Sequence, residues 1–276
     1  MKLVGNKKAI RSSEFHHKKE RQRKIRLTLI ALAVIIVVVG PIFLLRLKSI
    51  QISSIQISGN AVTASADIES IISNDLSGDY LWVIPKSNAL LYSKNKIKND
   101  ILAAIPRISA VNVSLSGLHA LSVVVSERAP FALYCTQVSD ITNPSDCYFL
   151  DASGYIFSAA PAFSGGVYMI YSSTPALDNP LRQQFLPSEQ FANLASFISN
   201  LSHIPVTPKI FVASADEYDL FLPSGTTIMW KPTQDLGTVY SNLNTFLTDP
   251  SLVKNSPSTF AYIDLRFDDK VFYKYK

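Results

Sequence analysis

Residues 27–45 read LTLIALAVIIVVVGPIFLL, nineteen residues without a charged side chain, and no other stretch constrains the fold as strongly. As an α-helix this stretch is about 28 Å long, close to the ~30 Å hydrocarbon thickness of a bilayer. A lone segment inside lipid satisfies its backbone hydrogen bonds only as a helix, so a transmembrane helix is predicted. A cleaved signal peptide is the alternative. Its apolar part is normally shorter and ends in small residues, whereas this run continues into Arg46-Leu47-Lys48.

The basic charge of the chain is concentrated before this helix. Residues 1–26 contain ten Lys or Arg and two Glu, a net charge of +8, whereas the whole chain carries +5. By the positive-inside rule, residues 1–26 are predicted to be a cytoplasmic tail and the rest of the chain to lie outside the cytoplasm. Nucleic-acid binding is disfavoured because Phe15 is the tail's only aromatic residue. His16 and His17 lie among cations that oppose a metal ion.

Hydrophobic periodicity predicts a small α+β domain over residues 46–128. Apolar residues recur at helical spacing in two segments and alternate with polar residues in three others. The order strand, helix, helix, strand, strand predicts a sheet covered on one face by two helices. The predicted elements are a strand with a bulge at 50–58, helices at about 66–76 and 94–104, and strands at 110–116 and 121–127.

Residues 129–276 are predicted to form a second, mainly β domain. Ser188 is predicted to cap a helix that extends to about Leu201, another helix spans about 235–247, and the chain ends in a hairpin of strands 261–267 and 271–275. The predicted fold class is therefore α+β: one N-terminal transmembrane helix, a β-α-α-β-β domain, and a mainly β domain with two or three helices.

The two cysteines of the chain, Cys135 and Cys147, flank a loop in the second domain. If the strands on either side of the loop pair, the two residues face each other where a disulfide can form. Closing a loop of about 13 residues in this way stabilises the fold by roughly 3 kcal/mol. A pair of free thiols is the alternative, because the sequence does not give the oxidants of the compartment.

The sequence contains little that supports an enzyme. It has no H-E-x-x-H motif, no Cys-x-x-Cys pair and no Gly-rich phosphate loop, and His119 and His203 are isolated. The acidic group Asp216, Glu217 and Asp219 could act as an acid–base pair or bind a cation, but a solvated start of a strand is favoured. No catalytic residue, metal, cofactor or small-molecule substrate is therefore predicted.

Open strand edges are the remaining candidate for a binding function. One lies in the sheet of the first domain, and the other is the final strand, VFYKY at 271–275. An open edge presents unpaired N–H and C=O groups that another chain can complete. Its side chains are either anchors for such a chain or, for Val271 and Tyr273, part of the domain core. The residues alone leave both interpretations open.

Five short segments carry a family resemblance. SERAPFA at 126–132 is similar to the E-R-x-P-x-A sequence that ends the POTRA domain of the FtsQ/DivIB family of bacterial cell-division proteins. ISGN at 57–60 resembles the opening V-x-G-N of that family, and AIPRI at 104–108 resembles its L-P-x-V segment. YFLDASGYIF at 148–157 resembles its Y-L-V-D-x-x-G-x-x-F hairpin, and YIDLRF at 262–267 its Y-I-D-L-R-Y. Their order and spacing resemble a POTRA domain followed by the family's C-terminal β domain.

The resemblance implies a non-enzymatic scaffold of the divisome, a single-pass protein with a cytoplasmic N-terminus at the division septum. It further implies FtsB/DivIC-type and FtsL-type single-span partners, captured by strand addition near the last strands to recruit and regulate septal wall synthesis. Carried over to this sequence, the partner contacts are expected at Phe267, Asp269 and Tyr275, and the exposed edge of the final strand adds Val271 and Tyr273.

Two other classes of protein are the alternatives. A membrane-anchored cell-wall hydrolase or peptidase needs a converging catalytic set, and the shortage of usable His and Cys counts against it. A POTRA protein of outer-membrane assembly or secretion needs repeated POTRA units or a long series of amphipathic strands, and neither pattern is present in the sequence.

Overall fold

The computed structural model describes residues 13–137, 145–161, 167–252 and 256–276, with side chains from residue 18 onward. The chain divides into two compact units. The first extends to Ile101 and includes Val111–Val125, and the second comprises Leu102–Ala110 and Ser126–Lys276.

The first unit begins with α1, Ser13–Leu45, which extends the predicted span by fourteen residues toward the N-terminus. Within the described residues, α1 is the one helix long and apolar enough to cross a membrane, and none of its apolar part is buried by the protein. Pro41 lies near the end of the helix, where a membrane span tolerates it.

The remainder of the first unit has the predicted order of strands and helices, with one addition. Its three-stranded sheet has the order β1-β5-β4, and β1 is parallel to β5. Ile68 and Ile72 of α2, and Ile97 and Ile101 of α3, are fully buried. The elements are β1 Ser54–Ser58, α2 Ser65–Leu76, β2 Asp79–Tyr80, β3 Ile84–Pro85, α3 Lys94–Ala104, β4 Ile108–Ser116 and β5 Ala120–Glu127.

Two details of this unit differ from the sequence prediction. The predicted strand at 50–58 begins only at Ser54, because the backbone just before it pairs elsewhere. Ile52 N donates to Ser87 O and Ala89 N donates to Ile50 O, each at 2.8 Å. The second difference is the hairpin β2–β3, which was not predicted because strands of two residues are too short to show an alternation.

The second unit is built on one nine-stranded sheet with the order β14-β13-β12-β11-β10-β9-β6-β7-β8. Two helices pack on the sheet, and their buried side chains share one apolar cluster with it. The elements are β6 Ala132–Gln137, β7 Ser145–Leu150, β8 Ile156–Ala159, β9 Ile170–Thr174, α4 Ser188–Asn200, β10 Ile210–Ser214, β11 Tyr218–Phe221, β12 Thr227–Trp230, α5 Leu236–Thr248, β13 Phe260–Phe267 and β14 Lys270–Tyr275.

The pairing register shows which side chains near β14 lie on each face of the sheet. One row of paired residues lies in the core beneath α4 and α5, and the next row lies on the opposite face. The core row contains Tyr273, Ile263, Ile228, Leu220 and Phe211, and the opposite row contains Phe272, Asp264, Met229, Asp219 and Val212.

Candidate functional site

The outer side of β14 is a free edge of the nine-stranded sheet. The strand is the first in the sheet order and pairs on one side with β13. Within the described part of the chain, no strand or loop donates a hydrogen bond to its other side. The backbone of β14 is therefore able to accept a further strand.

The opposite edge of the same sheet, at β8, is covered by the chain itself at its first residue, Ile156. Ile156 N donates to Gln183 O at 2.9 Å, and Arg182 N donates to Ile156 O at 2.7 Å. Tyr155 forms a bridge with Gln184 in the same segment. The two ends of the sheet therefore differ, since the chain covers the edge at β8 and leaves the edge at β14 open.

An aromatic cluster on the helix-covered face supports β14 from within. The Tyr273 ring lies 5.1 Å from Phe246 of α5 and 5.5 Å from Phe260, and the Tyr275 ring stacks on Phe260 at 5.0 Å. Phe260 is fully buried, whereas Tyr273 and Tyr275 remain 41% and 40% exposed. Val271 is half-buried and packs against the core. These residues of β14 therefore fill the core and also border the open edge.

A second aromatic pair lies on the opposite face of the hairpin. Phe267 and Phe272 make an edge-to-face contact with their ring centroids 5.0 Å apart, and Lys231 Nζ lies 5.9 Å from the centroid of Phe267. Phe267 is 46% exposed and Phe272 is 48% exposed. The sequence-based site omitted Phe272, although the strand alternation already separates it from Tyr273.

The turn of this hairpin is fixed by side chains of neighbouring segments. Gln234 Nε2 donates to Asp268 Oδ1 at 2.9 Å and to Leu265 O at 3.0 Å, and Asn242 Nδ2 donates to Asp268 O at 3.1 Å. Neither Asp268 nor Asp269 has a positive φ, so the turn does not need a glycine. Asp269 is exposed at the tip of the hairpin.

A charged cluster connects β13, the first strand of the hairpin, to the start of β11. Arg266 binds both carboxylate oxygens of Asp264, with Nε to Oδ1 at 2.9 Å and Nη2 to Oδ2 at 2.6 Å, and its Nη1 contacts Glu217 Oε2. The Arg266 hydrogen bonds hold the pKa of the Asp264 carboxyl below its ordinary value, although burial opposes this. Arg266 therefore links β13 to the residue just before β11.

Asp219 lies in the same row of the sheet as Asp264, but Arg266 does not form an ion pair with its carboxylate. Its Oδ1 is buried without a hydrogen-bond partner. Burial and, to a smaller extent, the charge of Glu217 raise the pKa of the Asp219 carboxyl to about 6, although the charge of Arg266 acts in the opposite direction. Among the described residues, no three His, Cys, Asp or Glu side chains are grouped closely enough to hold a metal ion.

The remaining sequence-predicted residues have structural roles in the second unit. Cys135 and Cys147 face each other on β6 and β7 and are joined by a disulfide. Asp151 accepts hydrogen bonds from Ser153 N at 2.8 Å and Tyr155 N at 3.1 Å, and it pairs with Arg128. Arg128 belongs to the segment 126–132 and Asp151 to the segment 148–157, so this ion pair connects two of the segments that carry the family resemblance.

A separate concave surface lies between the two helices of the second unit. This cleft has a volume of about 920 Å³ and includes Gln190, Asn193 and Tyr240 in its lining. Gln190 Nε2 donates to Tyr218 OH at 2.8 Å at its floor. The cleft offers amide and hydroxyl groups but is not continuous with the β14 edge, because none of its lining residues belongs to β13 or β14.

Comparison with known protein families agrees with this architecture. Residues 50–128 match the family model described as POTRA domain, FtsQ-type. The matched residues make up under a third of the chain and end before the C-terminal domain. A search among curated proteins finds no match for the chain.

A helix long and apolar enough to cross a membrane, a POTRA domain and a mainly β C-terminal domain together define the architecture of the described part of the chain. The match of residues 50–128 is to the FtsQ type of POTRA domain, so this part of the chain is similar to the corresponding domain of FtsQ/DivIB-like proteins.

Proposed function

We propose that this protein is a non-enzymatic scaffold of the divisome that captures a partner by strand addition at the outer edge of β14. In this proposal the partner is an FtsB/DivIC-type single-span protein, itself associated with an FtsL-type protein, and capture recruits and regulates septal wall synthesis. The single observation that supports this proposal most strongly is the difference between the two sheet edges, one covered by residues 182–184 and one open.

The open edge has the anchors that a docked strand needs. Phe272 with Phe267 on one face, and Tyr273 with Tyr275 on the other, present aromatic surface on both sides of the edge. Aromatic residues contribute much of the binding energy of interfaces because they bury a large area with few rotatable bonds. A strand added to β14 alternates its side chains between these two aromatic pairs.

The edge is also held ready for binding. The turn is fixed by Gln234 and Asn242, and Lys276 N donates to Thr259 O at 3.1 Å beyond the end of β14. A rigid hairpin lowers the entropy cost of binding. Lys270 and Lys274 are exposed along the strand, so the edge repels a second copy of itself and favours a strand with acidic side chains.

The proposed orientation follows from the charge of the N-terminal segment. The +8 charge of residues 1–26 favours a cytoplasmic N-terminus by the positive-inside rule, which leaves the POTRA and C-terminal domains outside the cytoplasm. We propose that the protein works at the division septum, where its partners are also anchored by single spans.

A pair of matched phenylalanine variants tests the proposal. Phe272→Ala removes an exposed anchor at β14, whereas Phe131→Ala removes a phenylalanine of nearly equal exposure, 45%, next to β6 in the same unit. Binding of the FtsB/DivIC-type protein of the same cell to the full-length chain in lipid nanodiscs is then measured. We expect Phe272→Ala to raise Kd about tenfold or more, as for an interface hot spot, and Phe131→Ala to leave it unchanged.

Hydrogen exchange locates the contact in the same samples. Strand addition protects the outward-facing backbone amides of β14, because they become donors to the new strand. Equal Kd values for wild type, Phe272→Ala and Phe131→Ala, or new protection confined to the cleft between α4 and α5, contradict the proposal.

A further inference from the structure

The short hairpin β2–β3 of the first unit exposes two large apolar side chains at its tip. Leu81 is 87% exposed and Trp82 is 94% exposed, more than any other large apolar residue among those described. Both have backbone angles in the left-handed region, with φ of 49° and 64°, which bulky side chains rarely adopt. In water, this tip combines an unfavourable backbone with unfavourable solvent exposure of a tryptophan.

The hairpin is tied to the residues where the chain leaves the membrane. Arg46 Nε donates to Val83 O at 2.6 Å, and Arg46 Nη2 lies 3.6 Å from Asp79 Oδ2 at the base of the hairpin. Nδ2 of the fully buried Asn88 donates a hydrogen bond to the carbonyl oxygen of Leu45 at 2.7 Å, and Leu45 is the last residue of α1. The apolar run of α1 ends at Leu45, so these contacts hold the hairpin next to the end of the candidate membrane span.

The chemistry of this region fits a membrane interface. Tryptophan is enriched at the level of the lipid headgroups, because its ring is apolar while its N–H can donate a hydrogen bond. Leu90 and Leu91 follow Asn88 and are 65% and 45% exposed, which extends the apolar surface. Arg46 and Lys48 are exposed directly after α1, at the depth where lipid phosphates lie.

We propose that the β2–β3 hairpin is a second membrane contact, with Leu81 and Trp82 inserted among the headgroups of the leaflet on the POTRA side. The contact restricts rotation and tilting of the POTRA domain about the end of α1. This inference uses the membrane span and the contacts of the first unit, and it does not depend on the partner proposed for β14.

Tryptophan fluorescence tests this directly, because the chain has only two tryptophans and Trp230 is fully buried. The full-length chain is reconstituted in phosphatidylcholine–phosphatidylglycerol vesicles, with brominated acyl chains as lipid quencher and iodide on both sides as aqueous quencher. The signal of Trp82 is the difference between wild type and Trp82→Phe. We expect brominated lipid to quench this signal and iodide to quench it little.

An exposed position elsewhere in the first unit provides the control. Val62 is 69% exposed and follows β1 at the end away from Leu45, so Val62→Trp in the Trp82→Phe background reports on a surface in water. We expect iodide to quench Trp82 at least about threefold less efficiently than the tryptophan at position 62, as for an interfacial residue. Full access of iodide to Trp82, or equal quenching of both positions by brominated lipid, overturns the proposal.

Discussion

The ion pair between Arg266 and Asp264 gives a prediction that connects the stability of the second unit to its candidate site. Arg266→Gln removes the positive charge and replaces the guanidinium with a planar amide on a shorter side chain. The variant leaves the Asp264 carboxylate, whose side chain is only 7% exposed, with the backbone N–H of Arg266 as its remaining described partner. An uncompensated buried carboxylate strongly disfavours the folded state.

The size of this effect follows from the exposure of the groups. Breaking a fully buried ion pair costs about 3–5 kcal/mol. The Arg266 side chain is 35% exposed, so solvent screening lowers the expected loss to roughly 2–3 kcal/mol. The contact of Arg266 with the partly exposed Glu217 adds at most about 1 kcal/mol. In guanidinium chloride, such a loss lowers the unfolding midpoint by roughly half a molar.

The pH dependence identifies the mechanism. The pKa of Asp264 is lowered in the folded state, so its contribution is present above the unfolded value of about 4 and is lost as the pH falls through the folded value. The difference in unfolding free energy between wild type and Arg266→Gln should therefore be constant near neutral pH and shrink below about pH 4.

Guanidinium unfolding of the full chain in detergent micelles measures this difference. Trp230 is the reporter in a Trp82→Phe background, because it is fully buried in the second unit. The double variant Asp264→Asn with Arg266→Gln is the control, since it neutralises the carboxylate and should recover part of the stability. An Arg266→Gln midpoint equal to that of wild type, or a difference that is as large at pH 3 as at pH 7, refutes the reasoning.

Two further predictions concern the same unit. Asp219→Asn should raise the free energy of unfolding at pH 7.5 by roughly 1–2 kcal/mol. The reason is that the raised pKa of about 6 makes wild type lose stability as the pH rises from 4 to 6. Denaturant unfolding measures the gain, and an equal gain at pH 4 and pH 7.5 contradicts the prediction. Cys135→Ala with Cys147→Ala should lower the free energy of unfolding by about 3 kcal/mol, the entropy of a loop with sequence separation 12. Reductant should produce a similar loss in wild type and none in the variant.

Local patterns in the sequence were enough to predict most of the elements. The helix Lys94–Ala104 has the bounds that its apolar spacing predicts, and the final hairpin differs from its prediction by one residue at the start of each strand. Such elements are predictable because one periodic pattern of side chains determines one buried face. The predicted strand at 50–58 was wrong for its first residues, because their backbone pairs with a segment more than thirty residues away.

The chemical environment of individual residues was not predictable in the same way. Asp216, Glu217 and Asp219 look alike in sequence, yet Glu217 pairs with Arg266 and Asp219 is partly buried with an unpartnered oxygen. Likewise, the segment around Trp82 reads as an ordinary short apolar run. Only its contacts with Arg46 and Leu45 place it beside the end of α1.

The long apolar helix, the order of the elements in the POTRA domain and the last hairpin could all be predicted from sequence, because each depends on residues close together in the chain. The sequence did not reveal that the edge at β14 is open while the edge at β8 is covered at Ile156. That difference arises from strand order in a nine-stranded sheet and from hydrogen bonds of residues 182–184 to β8, and both depend on contacts between distant parts of the chain.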